Sequence, residues 1–338
     1  MTTPHDESRL LLFALCVVLG VFATAASTLM FDRGARRFDV VDTQLKLLKG
    51  EPAVFDGRIV YLPTNQNRIL VPLALASLVG AGVTSLAAYT TIRLLTAIAM
   101  FLGVAWILRR TTEADPRLVG AALIVLALAV VPSFNYGWEQ PSDFPDVLFM
   151  TAFAAFAVTG RRWQTIVVAA LAAANRESAV FAGVIWGSVH WRREDGIDGR
   201  EVGFALVISA MAMTVVLGLR YGLGGAAAVG SDTQTIVSIW ETVVSLAEAV
   251  NQPSLTRWPV LAVAMFGPVV LWLLSNRPRL DRKHVGLIAA AAGISVFTLC
   301  TGLASELRRH LPALAVLLYT AVAAEGGWRT AVARTVPA

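Results

Sequence analysis

Two carboxylates, Asp39 and Asp42, lie three positions apart at the start of a short amphipathic stretch. A carboxylate held beside a hydroxyl group can take its proton while the oxygen forms a new bond, which is general-base catalysis. Asp39 is the preferred base because it falls where the stretch would begin as a helix, and Asp42 lies one turn further along a similar face. The alternatives are that both are ordinary solvated loop acids, or that Asp39 caps the helix.

Asp143 and Asp146 are the next candidates, at the end of a segment, Asn135–Asp146, that mixes aromatic rings with acids. Aromatic rings cover the apolar faces of sugars, and carboxylates accept hydrogen bonds from sugar hydroxyl groups. The alternative is an interfacial turn with an aromatic anchor, in which Ser142 or Asp143 caps the following helix. Asp146 favours the binding role, because it lies inside an apolar run where a charge is costly.

Asn175, Arg176 and Glu177 interrupt a strongly apolar region. Polar groups in such surroundings need partners or water, so we interpret these three residues as substrate-binding. The alternative is an internal network between Arg176 and Glu177 that holds the turn together.

Glu306, Arg308 and Arg309 precede the last apolar run and are followed by His310. Arginine binds phosphate through paired, charge-assisted hydrogen bonds, so this group predicts contact with a phosphate. The alternative is that these arginines snorkel at a membrane rim. Arg93, at the start of an earlier apolar run, is interpreted as an interfacial anchor.

The composition assigns these residues to an integral membrane protein. Hydrophobic residues make up 56% of the chain and charged residues only 15%, unlike a soluble globule. Apolar runs of membrane-spanning length recur from end to end, and no segment is long and polar enough for a separate soluble domain. The net charge of +5 lies mostly in short loops, where it reports orientation and not nucleic-acid binding.

The common cofactor motifs are not present in the sequence. It contains no Walker A, GxGxxG, HExxH or GxSxG pattern. Cys16 and Cys300 both lie inside apolar runs and suggest neither a disulfide nor a metal site. We therefore predict no cofactor and assign no metal ligand; a divalent metal ion is compatible with the sequence but not indicated by it.

Basic residues occupy alternate connections between the apolar runs, and the positive-inside rule assigns those connections to the cytoplasm. They are Arg109 with Arg110, Arg161 with Arg162, Arg192 with Arg193, and the cluster at positions 277–283. The candidate residues above lie in the other connections and are therefore expected on the extracytoplasmic face. Both termini are expected in the cytoplasm.

These assignments predict an all-α polytopic bundle that forms a single membrane domain over residues 1–338. The first span is residues 10–30, and an extracytoplasmic loop follows at 31–89, with interfacial helices at 40–49 and 69–79. The central spans lie within 90–221, a second extracytoplasmic loop at 222–257, the last spans within 258–324, and a cytoplasmic tail at 325–338.

The region Gln164–His190 can form one helix or two short helices broken near Asn175. Two helices keep the flanking arginine pairs on one side of the membrane, so we predict a hairpin and about ten membrane segments in all. Each arm would be about 18–20 Å long, which is tolerable if the tip lines a water-filled cavity.

The order of these features resembles the GT-C superfamily of polytopic glycosyltransferases. The resemblance covers Phe31 to about His190, with further support at Glu306–Pro312. In that family an acidic residue follows the first span, and a Pro-containing lumenal helix leads into a span that begins near an Arg and ends in basic residues. A Pro-Asp before an apolar span, a polar hairpin tip and a Glu-x-Arg then follow. The similar residues here are Asp39 or Asp42, Arg68–Pro72, Ile92–Ala97 ending at Arg109–Arg110, Pro141–Asp143 or Pro145–Asp146, Asn175–Glu177 and Glu306–Arg308.

The resemblance implies an inverting glycosyltransferase of the bacterial inner membrane, acting in the cell envelope. Its donor would be a polyprenyl-phosphate-linked sugar lying among the membrane lipids, and its acceptor a glycan, lipid or protein. Asp39 or Asp42 would be the base, and Arg176 with Arg308 or Arg309 would stabilise the departing phosphate. The remaining acids would orient sugar hydroxyl groups or these arginines.

Two other functions are compatible with the sequence. A transporter or flippase for a lipid-linked saccharide would need ionisable groups at the bilayer midplane and repeat-related broken helices. The charges here lie near one face, which disfavours that function. A catalytically silent membrane subunit that binds a glycan, lipid or partner is the second alternative.

Overall fold

The computed structural model describes residues 4–31, 53–55, 58–60, 69–133, 142–193, 196–224, 257–301 and 307–329. This part of the chain is helical apart from two small antiparallel hairpins, β1 (Ala53–Phe55) with β2 (Arg58–Val60) and β3 (Arg192–Arg193) with β4 (Gly196–Ile197). The described α-helices are α1 (Pro4–Phe31), α2 (Leu70–Gly80), α3 (Ser85–Thr111), α4 (Pro116–Ser133), α5 (Asp143–Thr159), α6 (Arg162–Asn175), α7 (Phe181–His190), α8 (Gly199–Gly224), α9 (Arg257–Ser275), α10 (Arg282–Thr301) and α11 (Leu311–Gly326). The predicted all-α class is confirmed.

Apolar composition and length make this a membrane protein. Four helical segments are long and apolar enough to cross a bilayer, namely Glu7–Ser27, Ser85–Thr111, Pro116–Ser133 and Gly199–Leu219. Large apolar side chains such as Leu11 and Leu271 point away from the bundle, with 71% and 68% of their surfaces exposed. Such an exterior suits contact with lipid tails and not with water.

The centre of the bundle is α11. Every residue from Leu311 to Ala324 is buried except Leu317, because α11 packs against α3, α4, α5, α9 and α10. Five of its residues are alanine, and their small side chains let the neighbouring helices approach closely. Its second residue is Pro312, at a position where a helix needs no backbone N–H donor.

The predicted helical hairpin is confirmed. Helix α6 ends at Asn175, Arg176 has extended backbone angles (φ −163°, ψ 152°), and a 3₁₀ turn at Glu177–Val180 leads into α7. The outer ends of the two arms lie at the same end of the bundle, because Arg162 on α6 and Trp186 on α7 both donate to Glu201 on α8, at 2.5 Å and 2.9 Å.

The segments that connect the helices lie at two opposite ends of the bundle. At one end, the basic end, Lys283 donates to the Val158 carbonyl at 3.0 Å and Thr112 forms a β-bridge with Trp328. At the other end, the site end, the Ile69 amide donates to the Ala174 carbonyl at 2.9 Å and brings the start of α2 to the tip of the hairpin. The arginine clusters therefore gather at one end, and the candidate residues that the structure describes gather at the opposite end.

Some predicted boundaries and one predicted role were wrong. Helix α3 begins at Ser85 and not at residue 90, because Thr84 accepts a capping hydrogen bond from the Ala87 amide. Arg93 is not an interfacial anchor: it is 3% exposed and donates to the Thr24 carbonyl and the Ser27 hydroxyl on α1. The hairpin at residues 53–60 was not predicted, and the amphipathic stretch 40–49 lies outside the described residues.

Candidate functional site

Asp143 and Asp146 occupy the first turn of α5, and both are almost completely buried. The positive end of the helix dipole favours carboxylates at this position. Being three residues apart, they lie on one face of the helix and approach the same neighbours. Ser142 is the N-cap residue of α5, as the capping alternative has it, but its side chain makes no capping bond. The carboxylate of Asp143 pairs with arginines from other elements.

Arg176 lies between these two carboxylates. Its Nη1 atom forms a short ion pair with Oδ1 of Asp143 and lies 3.6 Å from Oδ2 of Asp146. The break between α6 and α7 positions this side chain, since the extended Arg176 backbone interrupts the helix at the site end. A buried guanidinium needs such partners, because an unpaired buried charge costs several kcal/mol.

Arg308 joins the same group from a third part of the chain. It belongs to the 3₁₀ turn Leu307–His310 just before α11, and its Nη1 atom lies 3.6 Å from Oδ2 of Asp143. We call Asp143, Asp146, Arg176 and Arg308 the charge cluster. Its two acids and two arginines are all buried, and their formal charges cancel.

Two further hydrogen bonds tie the hairpin tip to the start of α5. Asn175 donates to the Ser142 carbonyl at 2.9 Å, and the Ser178 hydroxyl donates to Oδ1 of Asp146 at 2.5 Å. Ser178 was not predicted as a site residue. Asp146 could have pointed to a residue such as Ser178, because a carboxylate inside an apolar run requires a hydrogen-bond donor from another segment.

Several buried polar atoms around the charge cluster have no hydrogen-bond partner among the described residues. They are Ser142 Oγ, Asp143 Oδ2, Asp146 Oδ2, Asn175 Oδ1 and His310 Nε2. Buried polar atoms are usually satisfied, and each unsatisfied one costs about 1–3 kcal/mol. The site end thus offers several inward-facing atoms that can bind water or a ligand.

An apolar groove of about 600 Å³ adjoins the charge cluster. It lies between α9 and α10, both of which pack on α11, and Leu317 is the α11 residue that lines it. On α9 it extends at least from Ala262 to Leu274, twelve residues or about 18 Å of helix. Leu307 and His310 line its wall at the site end. One 3₁₀ turn therefore contributes Arg308 to the charge cluster and His310 to the groove.

His310 is buried beside the edge of the Phe266 ring, with the ring centroids 6.3 Å apart. Burial, together with the charge of the neighbouring Arg309, lowers the pKa of His310 to about 4. The imidazole is therefore uncharged at neutral pH and carries a single N–H.

The remaining predicted site residues are placed differently or lie outside the description. Glu177 is exposed at the hairpin tip, and Arg309 is partly buried. Arg176 pairs with acids of α5, and the alternative of a network between Arg176 and Glu177 stays open. Asp39, Asp42 and Glu306 lie outside the described residues, so their approach to the charge cluster stays a prediction.

No known protein family, curated protein or solved structure matches this chain. Within the described ranges, no three His, Cys, Asp or Glu side chains are grouped so that they could hold a metal ion. The chemistry of the site is therefore argued from the charge cluster, the groove and the turn that joins them.

Proposed function

We propose that this chain is an inverting, GT-C-type glycosyltransferase of the bacterial inner membrane. It transfers a sugar from a polyprenyl-phosphate donor to a glycan, lipid or protein acceptor. The observation that carries the proposal is the junction at Leu307–His310, where a buried cluster with two arginines meets a long apolar groove. A ligand that suits both parts has a long apolar chain and an anionic, sugar-bearing headgroup.

The proposed topology has about ten membrane segments, with both termini in the cytoplasm and the site end on the extracytoplasmic side. The gathering of the arginine clusters at the basic end supports it, since basic residues favour the cytoplasmic side. The short arms α6 and α7 support it as well. An arm of ten to fourteen residues reaches only part of the way across a bilayer, so its polar tip lies in a recess of the site end.

In the proposed reaction, Asp39 or Asp42 takes the proton of the acceptor hydroxyl group. The hydroxyl oxygen forms a bond to the anomeric carbon of the sugar, and the bond from that carbon to the phosphate oxygen breaks with inversion. Polyprenyl phosphate leaves with the bonding electron pair, and Arg176 and Arg308 stabilise its negative charge. Asp143 and Asp146 hold both arginines in place before the donor arrives.

The pairing of the arginines with Asp143 is compatible with phosphate binding. A guanidinium group has five N–H donors, enough to contact a carboxylate and a phosphate together. The contact from Arg308 to Asp143, at 3.6 Å, is longer than a hydrogen bond. The phosphate can therefore draw Arg308 towards itself without leaving Asp143 unpaired, because Arg176 remains on the other oxygen.

A catalytically silent, lipid-binding subunit is the second candidate. The observation in its favour is the charge balance of the cluster, since two acids and two arginines that satisfy one another are also what a purely structural core requires. A flippase is less well supported, because the cluster lies at one end of the bundle and not at its middle.

Consumption of the donor by purified protein separates these candidates. The protein in proteoliposomes should release polyprenyl phosphate from one member of a panel of polyprenyl-phosphate sugars when an envelope extract supplies acceptors.

Asp39→Asn should lower the rate by about 10²–10⁴ with donor binding little changed, because the amide keeps the shape of the carboxylate but cannot accept the proton. Asp42→Asn is the matched comparison. Full activity in both variants would remove the base assignment, and binding of a donor that is never consumed would favour the silent subunit.

A further inference from the structure

His310 is the polar side chain at the end of the groove nearest the charge cluster. The other polar residues that line the groove are Arg277, at the basic end, and Ser295, part of the way along α10. His310 is 5% exposed and lies against Phe266. It therefore occupies the boundary where an apolar chain in the groove would end and a polar headgroup would begin.

The Nε2 atom of His310 is buried and has no hydrogen-bond partner among the described residues. Leaving an imidazole nitrogen without a partner beside an aromatic ring is costly, and the cost is recovered when a ligand supplies the partner. The imidazole is uncharged at neutral pH, so it can stand among apolar side chains without the larger penalty of a buried cation. With its proton on Nε2, it can donate to a ligand at the end of the groove.

The position of His310 relative to Arg308 indicates which ligand atom it meets. The two residues are two positions apart in one 3₁₀ turn, one contacting Asp143 and the other lining the groove. A phosphate at the end of a chain in the groove would therefore lie beside both His310 and Arg308. The phosphate is the first charged group along such a ligand, and its oxygens accept stronger hydrogen bonds than the hydroxyl of an alcohol.

We propose that His310 binds the phosphate of a lipid-phosphate ligand through Nε2–H and so fixes how deeply the headgroup enters the site. This inference rests on the proposed function, which supplies a polyprenyl chain with a phosphate. His310 is a headgroup-binding residue in this assignment, and Arg308 and Arg176 remain the groups that stabilise the departing charge.

Equilibrium binding to the purified full-length protein in detergent tests the assignment, with farnesyl phosphate, farnesol and inorganic phosphate as probes. Wild-type protein should bind farnesyl phosphate most tightly, because it alone uses both groove and headgroup contacts. His310→Phe keeps the ring packing but removes the N–H, and it should weaken farnesyl phosphate binding by about tenfold or more while farnesol binding is unchanged. His310→Gln keeps an N–H at a similar place and should retain most of the affinity. Thr214→Ala, a change of an exposed polar residue on α8 that does not line the groove, is the control and should affect neither lipid probe.

The outcomes separate this inference from the function on which it rests. If the wild type prefers farnesyl phosphate to farnesol but His310→Phe binds both as the wild type does, or loses both equally, the His310 assignment is overturned and the lipid-phosphate site stands. If the wild type binds neither lipid, or binds both equally, the proposed donor site is overturned together with the His310 assignment. Tight binding of inorganic phosphate alone would overturn the lipid assignment. Melting temperatures of the variants show that each one is folded.

Discussion

Asp143 contacts Arg176 through one carboxylate oxygen and faces Arg308 with the other. This single side chain connects three parts of the chain that are far apart in sequence, namely the start of α5, the hairpin tip and the turn before α11. Because the cluster is buried, each of its charges depends on the others for compensation. The cluster should therefore respond to mutation as a unit and not as separate contacts.

Replacing Asp143 with Asn should destabilise the protein by about 3–5 kcal/mol, since it leaves two buried arginines with one carboxylate fewer. Adding Arg176→Met to that variant should cost less than the sum of the two single changes, because the second change removes the uncompensated charge. Thermal unfolding of the four proteins in one detergent measures this coupling. Glu177→Gln, an exposed neighbour, is the control and should unfold like the wild type. Additive losses would show that the pair is not coupled.

At the scale of elements, the helices α7 and α8 depend on close backbone contact. A Cβ atom on Gly183 of α7 would lie 2.1 Å from the backbone carbonyl oxygen of Ala205 on α8, so only glycine permits this approach. Together with α6, these two helices hold the hairpin tip, and with it Arg176, against α5. Spacing between α7 and α8 should therefore influence both stability and the charge cluster.

Gly183→Ala should lower the melting temperature clearly, because backbone atoms must move apart to admit the methyl group. Gly203→Ala is the matched control: a Cβ atom there meets nothing within 4 Å, and alanine favours a helix over glycine by about 1 kcal/mol. Unfolding curves of the two variants in the same detergent should shift in opposite directions. A Gly183→Ala protein as stable as the wild type would mean that α7 and α8 are not held at this spacing.

The sequence allowed the helices to be predicted well, because apolar runs bounded by arginines and glycines delimit them. The break at Asn175 was also predictable, since only a hairpin keeps the arginine pairs at one end. Pairings between distant segments were not predictable in this way. Arg93 reaches Ser27 across sixty-six positions, and Ser178 reaches Asp146 across thirty-two, and no local pattern specifies either partner. The groove was likewise unpredicted, because it exists only where two helices pack on a third.

For the whole molecule, the proposed topology places the two ends of the bundle on opposite sides of the membrane, so cysteines at the two ends should be labelled from opposite sides. In a variant without Cys16 and Cys300, a cysteine introduced at Glu177 should react with an impermeant maleimide in intact cells. A cysteine introduced at Arg282 should react only after the membrane is permeabilised. Both positions are exposed, whereas Asn175 at the hairpin tip is buried and would label poorly. Labelling of the two positions from the same side would overturn the proposed topology.

The central place of α11 has a consequence for biogenesis. Among the eleven described helices it is the one encoded latest, yet α3, α4, α5, α9 and α10 all pack against it. The ribosome therefore delivers the earlier helices to the membrane before their common partner exists. Until α11 inserts, lipid or an insertion factor must occupy its place among these helices. The packing around the turn that bears Arg308 is therefore complete only after residues 311–326 have been made, and a ribosome that stalls before residue 311 leaves the earlier helices without their common partner.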